Sequence, residues 1–278
     1  MFSNQELKEI ARKIRHGIID AVYNAKSGHP GGALSIVDIL TVLYFNQMNI
    51  DPKDPAKPDR DRFILSKGHC SPALYSTLAH RGYFDEDSLK TFRKIDSFLQ
   101  GHPDMNKVPG VDMTSGSLGQ GLSVANGMAL AAKLDNLDYK VYVMMGDGEI
   151  EEGQIWEAAM TASFYKLNNV IGFVDHNKLQ IDGKIDEVMS PEPIKDKFIA
   201  FGWNVIEIDG HDFDDIQNAI EEAKKSDDKP TLILANTIKG KGVSYMENQV
   251  GWHGKAPNEE EYNIAKRELM EVYHEQSY

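Results

Sequence analysis

Two short apolar runs flank a helical stretch in the middle of this chain, and together they dictate a strand–helix–strand unit. The first run, Tyr139–Met145, reads Tyr-Lys-Val-Tyr-Val-Met-Met; the second, Asn169–Asp175, reads Asn-Val-Ile-Gly-Phe-Val-Asp. Both are rich in the β-branched and aromatic residues that suit a pleated, buried surface. Between them Gln154–Leu167 carries Trp156, Ala158, Ala159, Ala162 and Phe164 and no proline, which predicts a helix. A crossover of that length makes the two strands parallel. Their carboxyl ends then lie side by side, where open α/β sheets bind ligands. Gly146-Asp147-Gly148 follows the first strand and Asn177-Lys178-Leu179 follows the second.

Those residue types suit a divalent cation that carries a diphosphate. Mg²⁺ and Ca²⁺ take hard oxygen ligands, and Mg²⁺ commonly shares its shell between one or two protein groups and substrate phosphates. Asp147 offers a carboxylate, Asn177 an amide oxygen and Leu179 a main-chain carbonyl. A diphosphate brings its own negative charge, so a neutral asparagine fits better than a second carboxylate. Gly146 and Gly148 let the backbone turn and approach phosphate oxygens. Gly-Asp-Gly alone is equally an ordinary tight turn; the matched strand ends distinguish the two readings.

With 278 residues the chain can bury one large α/β core or two modest ones. A net charge of −13 disfavours sequence-independent nucleic-acid binding. Cys70, the one cysteine, excludes an intrachain disulfide framework and fits a reducing cytoplasm. No apolar run reaches membrane-spanning length, and Met1–Lys8 lacks the apolar core of a signal peptide.

Ser3 and Glu6 have the spacing of a capping box, opening an amphipathic helix to about Ala25 through Leu7, Ile10, Ile14, Ile18 and Val22. The turn Ser27–Gly32 stops it, and a second helix is expected over Ser35–Gln47. A strand at Arg62–Leu65, a loop Ser66–His69 and a helix opened by Ser71-Pro72 follow. Gln100–Leu118 reads as loop and Gly119–Ala132 as a small-residue helix. Strands at Trp203–Asp209 and Pro230–Thr237 bracket a helix at Phe213–Lys225, and a last helix is expected over Glu259–Glu275. Such alternation predicts one α/β domain: a mainly parallel sheet with helices on both faces.

Five of the nine histidines fall in predicted loops: His29, His69, His102, His211 and His253. Four of them sit beside glycine in the segments Ser-Gly-His-Pro-Gly-Gly, Ser-Lys-Gly-His-Cys, Gln-Gly-His-Pro-Asp and Gly-Trp-His-Gly. A single loop histidine is usually a surface residue; glycine beside each suggests backbone shaped around a ligand. His211 reads as a turn residue before a helix, and His16, His80, His176 and His274 as structural or surface residues.

Ala25–Gly31, Asp61–His69, Gly101-His-Pro, Thr114–Gly121, Gly146–Gly153 and Trp252-His-Gly together closely resemble transketolase, in order, from about residue 10 to 258. The resemblance implies the thiamine-diphosphate-binding fold and covers the diphosphate-binding domain, residues 1–278. The pyrimidine-binding and carboxyl-terminal domains of such enzymes are expected on a partner chain, in a heterotetramer active only when both subunits are present.

By resemblance, Asp147, Asn177 and the Leu179 carbonyl hold Mg²⁺ or Ca²⁺. His69, Gly116, Ser117, Leu118, Gly148, Asn177 and His253 line thiamine diphosphate, with Lys67 and Lys239 as diphosphate contacts, although lysines are more often simply solvated. His29, His102 and His253 face the reacting sugar, and Glu152 meets the partner's activating carboxylate. A glutamate at a helix start is by itself an ordinary exposed residue. The implied reaction moves a two-carbon ketol unit reversibly from a ketose phosphate to an aldose phosphate. A regulatory protein that only binds the coenzyme would need fewer of these histidines, and another carboligase or decarboxylase subunit remains a third reading.

Overall fold

The computed structural model describes residues 1–271. Helix α1 (Asn4–Ala25) opens on the expected capping box: Glu6 N–H donates to Ser3 Oγ at 3.3 Å and Ser3 N–H donates to Glu6 Oε2 at 2.8 Å. It ends where Lys26 turns left-handed. Helices α2 (Pro30–Ser35) and α3 (Val37–Val42) and a π-helical turn (Leu43–Gln47) follow. Helical structure therefore begins at Pro30, five residues before the expected Ser35. Proline has its φ preset for the first helical position and lacks the N–H that would be orphaned there, so Gly-His-Pro is a helix entrance as well as a turn.

Strand β1 (Arg62–Leu65) leads to a 3₁₀ turn (Gly68–Cys70) and α4 (Ser71–Arg81), and after the long loop comes α5 (Gly121–Leu134). Next come β2 (Val141–Gly146), α6 (Gly153–Phe164) and β3 (Val170–His176). A hairpin of two-residue strands, β4 (Leu179–Gln180) and β5 (Gly183–Lys184), is followed by α7 (Ile185–Val188), α8 (Ile194–Ala200), β6 (Asn204–Asp209), α9 (Phe213–Ala223), β7 (Thr231–Asn236) and α10 (Glu259–Glu271). The end of the expected last helix, with His274, lies outside the described residues.

The main sheet has five parallel strands in the order β1-β2-β3-β7-β6. Alternate residues point to opposite faces of a strand, and here both faces are apolar. Tyr142 and Met144 of β2 join one buried cluster with α1, α3, α4 and α9, whereas Val141, Val143 and Met145 join another with α5, α6 and α8. Strands buried on both sides read as continuous apolar runs, which is why β2 and β3 stand out in the sequence. The expected α/β architecture, with helices on both faces, is the one observed.

Candidate active site

The parallel register pairs Gly146 with Asp175 across β2 and β3. The loops leaving these strands therefore start level. Asp147 Oδ1 accepts the Gly148 N–H at 2.9 Å, while Oδ2 reaches the other loop and accepts the Lys178 N–H at 2.6 Å. Asn177 Oδ1 accepts the Leu179 N–H at 3.1 Å, and its Nδ2 donates to Asp175 Oδ2 at 2.9 Å. Lys178 takes a left-handed backbone, φ 64°, to make this turn.

The three oxygen sources expected to hold a cation thus stand on two interlocked loops. Their chemistry fits Mg²⁺ or Ca²⁺, which prefer carboxylate, amide and carbonyl oxygens. A cation already leans on one of them, since Lys239 Nζ donates to the Leu179 carbonyl at 3.0 Å. Among the described residues no three His, Cys, Asp or Glu side chains converge on a metal position; the donor set here is of a different kind. Burial and the nearby Asp175 charge push the Asp147 carboxyl up to about 7, as expected for an acid lacking a full cationic partner.

Beneath this pair lies a charge hub that sequence reading missed. Asp175, with no solvent exposure, accepts from Ser35 Oγ at 2.6 Å, from Lys67 Nζ at 2.5 Å and from Thr237 Oγ1. Burial alone would raise the Asp175 carboxyl, but the Lys67 ammonium and the Ser35 and Thr237 hydroxyls bring it below its ordinary value. For Lys67 burial acts downward and the Asp175 charge outweighs it, leaving the ammonium above its usual range. Lys67 also donates to the Gly32 carbonyl at 2.9 Å. Glu149, likewise buried, accepts from Ser66 Oγ, Gly119 N–H and Gly146 N–H, fastening the loops after β1 and β2 to the start of α5. A carboxylate closing an otherwise apolar strand, as Asp175 does, is the signal that could have revealed the hub: such a charge requires partners.

The histidines expected at the site converge on one cavity of about 250 Å³, lined by His29, His69, His102 and His253 together with Asp147, Asn177, Gly116, Leu118, Lys67 and Lys239. Ring centroids of His29, His69 and His253 lie 5.2–5.6 Å apart. Lys239 Nζ is 3.0 Å from His253 Nδ1. His69 stands on the 3₁₀ turn rather than in open loop. Burial, then neighbouring positive groups, lowers all four imidazoles: His29 and His69 to about 4, His253 to about 3, and His102 in the same direction. At neutral pH each is uncharged, with one nitrogen to donate and one to accept.

The Lys239 segment is held from behind. Gly240 N–H donates to the Gly31 carbonyl at 2.9 Å, and a Cβ at Gly31 would stand 2.8 Å from the Trp252 carbonyl, so only glycine lets the His29 and His253 loops approach this closely. His211 occupies the expected turn before α9 and also does more: its Nε2 accepts the Ile238 N–H at 2.9 Å and its Nδ1 meets Asp38 Oδ2 at 2.8 Å. Arg15 pairs with both Asp38 oxygens at 2.9 and 2.7 Å. This buried Arg15–Asp38–His211 relay joins α1, α3 and the turn before α9 to the loop carrying Lys239.

Two expected contacts stand apart from the rest. Ser117 is exposed and does not line the cavity, and Glu152 is exposed at the N-cap of α6. Lys67 and Lys239 are 2% and 1% exposed; neither is the solvated lysine that composition alone favours. A wider, more open cleft of about 840 Å³ adjoins Asn177 between the ends of β3, β7 and β6, with charges of both signs in its walls.

Known proteins resemble this chain along nearly its whole length. The family profile described as "Transketolase, thiamine diphosphate binding domain" matches residues 6–275. A 6-deoxy-6-sulfo-D-fructose transketolase subunit from a Clostridium species is 48% identical over 264 residues, covering 95% of this chain and 96% of that protein. An apulose-4-phosphate transketolase subunit from Phocaeicola vulgatus is 47% identical, covering 94% of this chain and 92% of its own length. Human transketolase is 40% identical over 277 residues, but the chain spans only 42% of it. The crystal structure of Campylobacter jejuni transketolase superposes with a TM-score of 0.91 at 38% identity, over 97% of this chain and 43% of that one. The chain thus belongs to the transketolase family and corresponds to its thiamine-diphosphate-binding domain.

Proposed function

We propose that this chain is the amino-terminal, coenzyme-binding subunit of a two-chain transketolase, transferring a two-carbon ketol unit from a ketose phosphate to an aldose phosphate. The observation that carries the reading is one cavity shared by two groups: the Asp147–Asn177–Leu179 oxygens on adjacent strand ends, and four neutral imidazoles. In this reading residues 1–278 form the diphosphate-binding domain, and the pyrimidine-binding and carboxyl-terminal domains come from a companion chain in a cytoplasmic heterotetramer. The relatives that match along nearly their whole length are themselves named as subunits. Both names also specify ketoses with an anionic group, which favours such a donor here.

Exposed apolar side chains support a covering partner. Val124 and Leu134 on α5, and Met160 and Phe164 on the adjoining α6, are 36%, 80%, 58% and 77% exposed, an apolar surface of the kind that marks an interface. Glu152 begins α6, which fits its proposed contact with the companion's activating carboxylate. Among the described residues no helix is long and apolar enough to cross a membrane.

Each residue then has a defined task. Asp147, Asn177 and the Leu179 carbonyl hold Mg²⁺ or Ca²⁺, which anchors the diphosphate. Gly148 leaves room for phosphate oxygens, and Lys67 and Lys239 supply positive charge beside them. His69, Gly116, Ser117 and Leu118 flank the coenzyme. When bound, thiamine diphosphate supplies a stabilised carbanion for breaking and forming the bond beside a ketose carbonyl. His29, His102 and His253 face the reacting sugar, where a set of uncharged imidazoles near neutral pH is suited to hold hydroxyls and support proton movement. Burial of the floor excludes water from this exchange.

Reconstitution tests the proposal. The chain alone should show negligible turnover, and adding the companion polypeptide with Mg²⁺ and thiamine diphosphate should restore aldose release in a coupled assay. Pyruvate in place of xylulose 5-phosphate should not be consumed. Turnover of pyruvate, or no ketose cleavage by the assembled pair, would remove the reading.

A further inference from the structure

Arg93 occupies a place where an arginine is costly to hold. Its backbone is left-handed, φ 60°, a region that residues with a Cβ rarely adopt. Its N–H donates to the Leu99 carbonyl at 2.8 Å and closes a small loop. The guanidinium packs on Gly101, where a Cβ would stand 3.0 Å from Cζ, Nε and Nη2. Nη1 donates to Ser27 Oγ at 2.9 Å, and Nη2 lies 3.5 Å from His29 Nδ1. Nε is buried with no hydrogen-bond partner. Strain together with an unsatisfied donor points to a role beyond packing.

A guanidinium has only donors. The ring nitrogen facing it must therefore present a lone pair, which puts the single proton of the neutral imidazole on Nε2. That edge of His29 runs beside Gly254 at the cavity wall, 3.7 Å from the place a Cβ would take. His69, His102, Arg93 and Lys239 are the charged or titratable groups that, after burial itself, keep the ring uncharged.

We propose that Arg93 is a positioning residue that locks His29 in the Nε2–H tautomer, so that His29 serves the reacting sugar as a hydrogen-bond donor to oxygen rather than as a base. The identity of that oxygen rests on the transketolase reading; the tautomer does not. A fixed donor steadies a carbonyl or alkoxide oxygen as charge develops on it, and the accepting role passes to His102, since His253 Nδ1 likewise faces a donor, Lys239 Nζ at 3.0 Å.

Long-range proton–nitrogen correlation spectra of the full chain, with its histidines labelled with nitrogen-15, test this directly, the His29 signals being assigned by their loss in His29→Gln. The native chain should show an unprotonated Nδ1 and a protonated Nε2 on His29. Arg93→Met should release the ring to a mixture of tautomers, and Arg93→Lys, again a donor without an acceptor, should restore the single form. In the assembled enzyme Arg93→Met should lower kcat about tenfold, with apparent affinity for thiamine diphosphate held within about twofold, and Arg93→Lys should recover most of the loss. A protonated Nδ1 in the native spectrum overturns the proposal even if no variant folds, and so does an unchanged His29 tautomer in Arg93→Met. If the native pair transfers no ketol unit while the tautomer results hold, the reaction assignment falls and the positioning role stands.

Discussion

The floor and the wall of the cavity are built from opposite chemistry. The floor is charged, buried and tied to the sheet: Asp147, Asp175, Asn177 and Lys67 lie at or beside the carboxyl ends of β1, β2 and β3 and bond to one another or to main chain. The wall is neutral and rides on loops and turns: His29, His69, His102 and His253 come from four separate segments, the first two and His253 meeting ring to ring and His102 lining the same cavity. The charged groups proposed to hold a metal diphosphate stand where the backbone is most fixed. The imidazoles proposed to face the sugar stand where segments far apart in sequence converge, and their low proton affinity follows from burial, then from neighbouring imidazole, guanidinium and ammonium groups. One carboxyl escapes full pairing. Asp147 is raised to about 7 by burial and by the Asp175 charge.

That contrast can be broken from either side. Lys67→Met leaves Asp175 as a buried, uncompensated carboxylate, so urea unfolding should show a loss of about 3–5 kcal/mol. A loss under about 1 kcal/mol would mean that the floor is not held by this pair. His69→Asn on the wall should leave unfolding nearly unchanged and weaken coenzyme binding by about 1.5–3 kcal/mol, measured by calorimetry on the assembled enzyme. Equal stability losses from the two variants would erase the distinction between floor and wall.

The pH dependence of stability sharpens the same comparison with a smaller effect. The folded values of His29, His69 and His253 lie near 4, 4 and 3, below the ordinary histidine value of 6.5. The unfolded chain therefore takes up protons first as acid is added. The contribution of these groups is complete above pH 6.5 and declines as pH falls toward 4. The urea midpoint should drop across that window, and His253→Asn should flatten the slope. A midpoint that rose on acidification from pH 6.5 would contradict the neutral wall.

Much of this site was legible because its signals are local. Gly146-Asp147-Gly148 and Asn177 each follow an apolar run that both faces of the sheet bury, and each cavity histidine has glycine beside it. The Asp175 hub was not legible because it is assembled from Ser35, Lys67 and Thr237, whose segments meet only in the folded sheet. His211 showed the opposite problem: its turn position was evident, but its bonds to Asp38 and Ile238 depend on α3 and the loop after β7. The β4–β5 hairpin, with two residues in each strand, is too short to leave a periodic pattern. Pro30 began a helix in a segment whose glycines read as a turn. Arg93 gave no sequence signal, since a left-handed φ on arginine follows from loop closure rather than from residue type.

Isothermal titration of thiamine diphosphate with Mg²⁺ into the chain assembled with its companion, native against Asp147→Ala, tests the central claim most directly. The clamp proposed for Asp147, Asn177 and the Leu179 carbonyl predicts saturable, chelator-sensitive binding by the native protein and no metal-dependent binding by Asp147→Ala. Undiminished coenzyme affinity in a folded Asp147→Ala protein would contradict it.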